Sequence, residues 1–250
     1  MEKEINWILE EKYGGRKTPS FFRDLEKLRK GEPVDYIIGF AKFLGYKIDL
    51  SKRPLIPRPE TEFWTQKLIE VLSESRLGTG YDFKILDMFA GSGCIGIAIL
   101  SRCQSGRLKV HFAEKEKEFC EQIKINAKIN KVNSKRYKIF QSDIFEKIKN
   151  KYDFIVANPP YVAELRKGRV QKSVLKFEPK NSLFAGKDGL LYIKKFLASA
   201  RNFLNPEGKI YLEFDFWQKQ KIDKILEENK YKKWEFYKDQ YNKWRYVITK

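Results

Sequence analysis

The chain is poor in the residues that most catalytic chemistry uses. It has one histidine and three cysteines in 250 residues. The histidine, His111, falls in the apolar strand pattern KVHFAE, where a packed strand residue is expected. A Ser-His-Asp nucleophilic set is therefore excluded. Cys94, Cys103 and Cys120 are odd in number, form no CxxC pair and lie in apolar helical patterns. That argues against disulfides and zinc and for a reducing compartment. No cluster of metal-ligating residues is visible. Long apolar runs are also missing. The longest, ILDMFAGSGCIGIAIL, is too short to cross a bilayer and carries Asp87. The first residues, MEKEINWILEEKYGG, are acidic and lack the apolar stretch of a signal peptide. A cytoplasmic protein without a membrane partner is expected. Repeats and low-complexity tracts are absent.

Positive charge is abundant. Lys and Arg number 51 against 33 Asp and Glu, for a net charge of +18. This balance suits an acidic partner, nucleic acid or an acidic protein surface, or else a solvated surface in a lysine-rich chain. The lysines are spread along the whole sequence, and no basic block with interleaved aromatics stands out. A hydrophobic content of 42% with 15% aromatics indicates a folded core and excludes a disordered chain. The length suits one α/β domain with a small appendage.

The first thirty-odd residues read as two short helices. In the second, Thr18 is a plausible N-cap, Pro19 takes the first helical position, and Gly31 and Pro33 are stops. Phe21, Phe22, Leu25 and Leu28 form its expected apolar face. VDYIIGFAKFLGYKIDL reads as an irregular β-hairpin with glycines at 39 and 45. SKRPLIPRPETEFW is a proline-stiffened loop leading into a helix over about Glu60 to Ser75, with Phe63, Leu68, Ile69 and Leu72 as its buried side. The division is residues 1–32 as a short helical segment, 33–58 as hairpin and linker, and 59–250 as the main domain. From Asp82 onward apolar strands alternate with amphipathic helices, which specifies a mostly parallel, doubly wound sheet. FKILDMF, LKVHFAE, YKIFQSD, YDFIVAN and GKIYLEFDF are followed by KWEFYKDQ and KWRYVITK. The last two strands have no helix between them and should form an antiparallel hairpin at one edge.

Ligands of such sheets bind beyond the carboxyl ends of the strands, at the switch point. In DMFAGSGCIG the glycines at 91, 93 and 96 match a dinucleotide-binding spacing. Asp87 ahead of them suits a cationic amino acid better than a pyrophosphate. The alternative is a tight turn without a ligand. Glu114, 27 residues after Asp87, is placed to take a ribose hydroxyl pair, or is a solvated charge in EKEKE. Asp143 in QSDIF could accept from an adenine amine or cap a following helix. Together these features suit a nucleoside carrying an amino acid group, a description that S-adenosylmethionine meets. The fourth strand runs into Asn158-Pro159-Pro160-Tyr161. Two prolines stop a strand and stiffen the next few residues. The Asn158 side chain and the Pro159 carbonyl could accept the two hydrogens of a planar –NH2 group, and Tyr161 could stack on it or close the site. Such a nitrogen is weakly nucleophilic, so methylating it calls for alignment more than for a strong base.

These residues resemble a known family. D-x-x-x-G-x-G, an acid after the second strand, SD after the third and NPPY after the fourth look like a class I methyltransferase acting on a planar nitrogen. NPPY is shared with adenine-N6 methyltransferases of DNA and RNA. LIPRPETE, FEP, GKDGL, YLEF with Gln218 beyond it, and KDQYNKWRYVI resemble the release-factor glutamine N5-methyltransferases, from about Pro33 to the C-terminus. The resemblance implies a Rossmann-like fold with a seven-stranded, mostly parallel sheet and an antiparallel C-terminal hairpin, to which this chain adds a short helical N-terminal extension. It implies methyl transfer from S-adenosylmethionine to the glutamine of a Gly-Gly-Gln motif in peptide-chain release factors, by a monomer. The implied cofactor residues are Asp87, Phe89, Ala90, Gly91, Ser92, Gly93, Glu114, Asp143, Ile144 and Asn158. Asn158, Pro159, Pro160 and Tyr161 would bind the glutamine amide, and Arg58 and Glu62 would shape the rim. Two features depart from the family. Phe89 stands where glycine is usual, and only about 33 residues precede the matching region, where the family carries a larger helical domain. The basic loop LRKGRVQKSVLK after NPPY could offset that loss or be merely solvated. FAGSG also occurs in adenine methyltransferases, so methylation of adenine N6 in nucleic acid is the rival expectation.

Overall fold

Alternation of apolar strands and amphipathic helices builds the expected sheet. The protein is described here by a computed structural model covering residues 1–74 and 82–250. At the N-terminus, α1 (Glu2–Trp7) continues directly into a π-helical turn over Ile8–Lys12. It is followed by α2 (Pro19–Arg29), α3 (Val34–Ile38) and a hairpin of β1 (Phe40–Phe43) and β2 (Tyr46–Asp49). Next come α4 (Pro59–Glu74), β3 (Phe83–Met88), α5 (Cys94–Arg102), β4 (Leu108–Glu114), α6 (Lys117–Ile129), β5 (Tyr137–Gln141) and β6 (Tyr152–Ala157). The chain ends with α7 (Lys172–Phe177), α8 (Leu191–Ala200), β7 (Leu204–Glu213), α9 (Lys219–Glu228), β8 (Trp234–Lys238) and β9 (Trp244–Thr249).

The seven-stranded sheet has the order β5-β4-β3-β6-β7-β9-β8. All neighbours are parallel except β7–β9 and β8–β9, the antiparallel edge. The chain runs outward through β3, β4 and β5, then returns to lay β6 on the other side of β3. The switch point therefore lies between β3 and β6. Every residue of β6 is buried, as expected of a central parallel strand; its one charged residue, Asp153, accepts from Lys84 N and Asn205 Nδ2. One face of the sheet packs on α4, α5 and α6 through Leu68, Leu72, Ile97, Val110 and Ile123. The other packs on α8 and α9 through Leu86, Ile155, Ile193, Phe196 and Leu226. Each fully buried side chain of this kind contributes about 1.5–3 kcal/mol.

The N-terminal helices have their own small cluster of Ile8, Phe21, Leu28, Val34 and Ile37. It joins residues on both sides of position 32. Asp24 is buried beneath it, and Lys12, Lys27 and the Tyr13 hydroxyl hold its carboxyl down at about 2 against the desolvation that burial imposes.

Several expectations are corrected. Val34–Ile38 is a helix, not a hairpin arm; Gly39 ends it with φ 97°, and the hairpin begins at Phe40. Its two-residue turn, Leu44-Gly45, has positive φ at both positions, as a type I′ turn demands. In α2, Phe22 is 55% exposed while Phe21 and Leu28 are buried. In α4 the core residue is Trp64, with no exposed surface, in place of Phe63. Ser75, the expected end of α4, lies outside the described residues. The basic stretch after NPPY is not a plain loop: Glu164–Arg169 is 3-10 and α7 follows.

Candidate active site

The loops that leave β3 and β6 face each other across the switch point. After β3, Phe89 and Gly91 adopt φ of 58° and 53°, and Gly93 adopts 76°. Phe89, Ala90, Gly91 and Ser92 line an open cleft beyond the strand ends, with a cavity volume of about 150 Å3. Glu114, Asp143, Ile144, Asn158 and Pro160 also line it. Asp87 and Gly93 do not. Gly93 is favoured by its positive φ and by the close approach of Ile123, whose Cγ1 would lie 3.1 Å from an added Cβ. Gly96 is likewise a packing glycine, since a Cβ there would meet the Phe112 ring at 2.3 Å.

Asp87 sits behind the loop and is fully buried. Its Oδ2 accepts from Gly96 N at 2.9 Å, and Oδ1 has no hydrogen-bond partner among the described residues. Burial pushes its carboxyl up to about 8. Asp87 thus braces the turn into α5 and is not a cleft wall. Glu114 is the buried acid that does face the cleft. Its oxygens accept from Gly91 N at 2.8 Å and Glu116 N at 2.9 Å, and burial raises its pKa. Each oxygen keeps a lone pair for a further donor, so Glu114 ties the β3 loop to the β4 end and can still accept from a diol. Asp143 is exposed and pairs with Lys115 Nζ at 2.8 Å. The turn after it is not a helix it could cap.

Two non-glycine residues that line the cleft, Phe89 and Ile144, carry positive φ, 58° and 51°. For a β-branched residue this is a strained conformation, of a kind that clusters at ligand sites. The Phe89 ring packs edge-on against Tyr192, 6.1 Å between centroids, and beside Phe196 at 6.1 Å. Phe89 is thus the join between the cleft and the α8 core.

Asn158 stands where the cleft meets a second, surface-open cavity. Leu55, Arg58, Asn158 and Ser182 line both. Pro159 and Tyr161 line only the second. The structure therefore separates the four NPPY residues between two chambers, with Asn158 at the door. Its Nδ2 donates to Thr61 Oγ1 at 3.0 Å. The Tyr161 hydroxyl donates to Glu213 Oε1 at 3.0 Å, and Gln218 Nε2 donates to the Tyr161 carbonyl at 2.9 Å. Gly189 packs so tightly on that carbonyl that a Cβ would lie 2.3 Å from it. Arg58 lies on the shared rim and pairs with buried Glu178 at 2.6 Å, while Ile56 N donates to the same carboxylate. Glu62 does not shape the rim: it accepts from Leu44 N and fastens the hairpin turn to α4.

Thr61, Trp64, Glu178, Glu213 and Gln218 hold the site and were not singled out as site residues from sequence. A signal existed for all five. Each falls inside or within a few residues of LIPRPETE, FEP or YLEF, stretches that carry the family resemblance. His111 is a packed strand residue as expected. Its Nδ1 lies 2.9 Å from the Tyr152 hydroxyl, and burial lowers its pKa to about 4.

The family model described as "Methyltransferase small domain" matches residues 60–185. A release factor glutamine methyltransferase of Lactococcus lactis is 35% identical over 228 residues, 90% of this chain and 80% of the relative. The enzyme of that name from Streptococcus pneumoniae is 33% identical over 247 residues, 97% of this chain and 84% of the relative. Among solved structures, the T. thermophilus 16S rRNA N2 G1207 methyltransferase, in complex with AdoMet and guanosine, superposes with a TM-score of 0.56 at 19% identity. It covers 84% of this chain and 49% of that one, and it attests the fold alone. With the cleft, the NPPY mount and these relatives in agreement, this chain belongs to the release factor glutamine methyltransferase family.

Proposed function

We propose that this protein methylates the side-chain amide nitrogen (N5) of the glutamine in the Gly-Gly-Gln motif of a peptide-chain release factor. The observation that carries this reading is Asn158, placed at the junction between the cleft lined by the glycine turn, Glu114 and Asp143 and a second open cavity lined by Pro159 and Tyr161. The residues present fit S-adenosylmethionine. Three carboxylates, Glu114, Glu116 and Asp143, line the cleft, the last paired with Lys115; the remaining acidic charge disfavours a pyrophosphate and suits a neutral ribose and adenine. When bound, S-adenosylmethionine supplies an electrophilic sulfonium methyl. Glu114 would hold the ribose hydroxyls, Asp143 and Ile144 the adenine side, and the Phe89–Ser92 turn the amino acid end.

The chain's own part in the reaction is alignment. The Asn158 Oδ1 and the Pro159 carbonyl accept the two hydrogens of the glutamine amide and hold its nitrogen toward the cleft. Fixing a weak nucleophile in line can supply several kcal/mol of the barrier. Tyr161, clamped at its hydroxyl and its carbonyl, forms one wall of the substrate chamber. No strong base is needed, because methylation itself makes the nitrogen acidic and its proton can then leave to solvent.

The test supplies methyl-labelled S-adenosylmethionine with a release factor in one reaction and with DNA or RNA in another. Label is expected in the release factor and should vanish when the motif glutamine is replaced. Label in nucleic acid alone would overturn the assignment in favour of adenine methylation.

A further inference from the structure

Glu213 ends β7 with 1% of its surface exposed. No cation pairs with its carboxylate at salt-bridge distance among the described residues. Its partners are three donors: Thr61 Oγ1 and Trp64 Nε1 on Oε2, both at 2.7 Å, and the Tyr161 hydroxyl on Oε1 at 3.0 Å. The nearest cation to act on it, buried Arg245, is itself paired with Asp239 at 3.0 Å, and burying a carboxylate without a directly paired counter-ion is unfavourable. The arrangement makes sense as a polarity device.

A hydroxyl has one hydrogen to give. Trp64 Nε1 can only donate, so Oε2 of Glu213 is held as an acceptor, and the Thr61 hydroxyl spends its hydrogen on it. Toward Asn158, 3.0 Å away, the Thr61 oxygen is then an acceptor only. The Asn158 amide must turn its NH2 to Thr61, and its Oδ1 faces the other way, toward the junction of the two cavities. A threonine without the acid behind it could donate or accept, and the amide could sit either way round. The reversed amide would present two hydrogens to the substrate amide's own hydrogens, and the methyl acceptor would be pushed off line. The same carboxylate fixes the Tyr161 hydroxyl, so one buried acid sets both ends of the NPPY segment.

We propose that Glu213 and Thr61 are positioning residues that fix the direction of the Asn158 amide, so that it accepts from the substrate amide and cannot donate to it. This inference rests on the reading of Asn158 as the acceptor for a substrate –NH2.

The central experiment compares Thr61→Val, which keeps the shape and removes the hydroxyl, with Thr61→Ser, which restores it. Thr61→Val should lower kcat about a hundredfold, the size of loss that comes from misplacing a reacting group. KM for the release factor, the cofactor Kd and Tm should change little. Thr61→Ser should recover kcat to within about fivefold of wild type. Glu213→Gln can turn its oxygen to Trp64 and Thr61 and its NH2 to the Tyr161 oxygen, so it should lose far less than Glu213→Leu. A Thr61→Val enzyme with kcat close to wild type overturns the proposal. So does a loss that Thr61→Ser fails to recover, or one that tracks cofactor Kd and Tm. The amide is also read without substrate, through hydrogen exchange of the 15N-labelled Asn158 side chain. Its NH2 should be protected in wild type and exposed in Thr61→Val; equal exchange in both overturns the proposal. If wild type methylated no release factor, the functional assignment would fail, and the exchange measurement would still decide the positioning role.

Discussion

The two sides of Asn158 are built differently. The cofactor side is a row of strand ends: β3, β4, β5 and β6 are neighbours in a parallel sheet, and their loops meet because the register places them together. The substrate side is assembled from distant pieces. Arg58 pairs with Glu178 across 120 positions of sequence, and Thr61 reaches Glu213 across 152. One side follows from a general rule of α/β sheets. The other depends on particular buried polar contacts and should fail in a different way when they are cut.

Mutations should separate the two. The largest effect is expected for Asn158→Ala, which removes the acceptor at the door. Its kcat should fall a thousandfold or more, on the order of 4 kcal/mol, while calorimetry finds the cofactor Kd within about threefold. Full activity would remove the amide-alignment mechanism. Glu114→Ala should show the reverse. Loss of the buried acceptor should weaken cofactor binding by about 1.5–3 kcal/mol, roughly ten- to a hundredfold in Kd, with the KM for release factor little changed at saturating cofactor.

Smaller effects sharpen the contrast. Glu178→Gln leaves Arg58 without its charge partner on the shared rim. It should raise the KM for release factor by about tenfold while steady-state assays show kcat nearly intact. Phe89→Gly relieves the positive φ but deletes the ring from the Tyr192–Phe196 contact. Lost packing outweighs relieved strain, so urea unfolding should show a net loss of about 2 kcal/mol. The last prediction concerns neither side of the site. His111 is the only imidazole, so its NMR signal identifies itself and should titrate near pH 4. The sign comes from linkage. The unfolded chain binds this proton at the ordinary value of 6.5 and the folded chain only near 4. The stability tied to neutral His111 is therefore complete above pH 6.5 and is lost as pH falls from 6.5 to 4.

Particular residues show how far the sequence could be read. The seven strands, the edge hairpin and the loops that line the cleft were legible because strand periodicity is local and strand ends in such sheets point to one rim. Val34–Ile38 was misread because five residues before a glycine carry too little periodicity to tell a helical turn from a strand. Phe63 and Trp64 were exchanged because adjacent aromatics differ by only about 100° around a helix, and the wider packing decides which faces the core. Asp87 and Glu114 are both acids at strand ends. Sequence pointed to both as ligand contacts, yet one lies behind the loop and the other in front of it.

The sequence alone determined the parallel sheet, the switch point, the glycine turn and the stiff Asn-Pro-Pro-Tyr mount, because each rests on backbone preferences that neighbouring residues impose. Only the tertiary structure decided which way those parts face. Thr61, Glu178, Glu213 and Gln218 lie far along the chain from the groups they hold, and a hydrogen bond between such residues exists only once the sheet has brought them within about 3 Å.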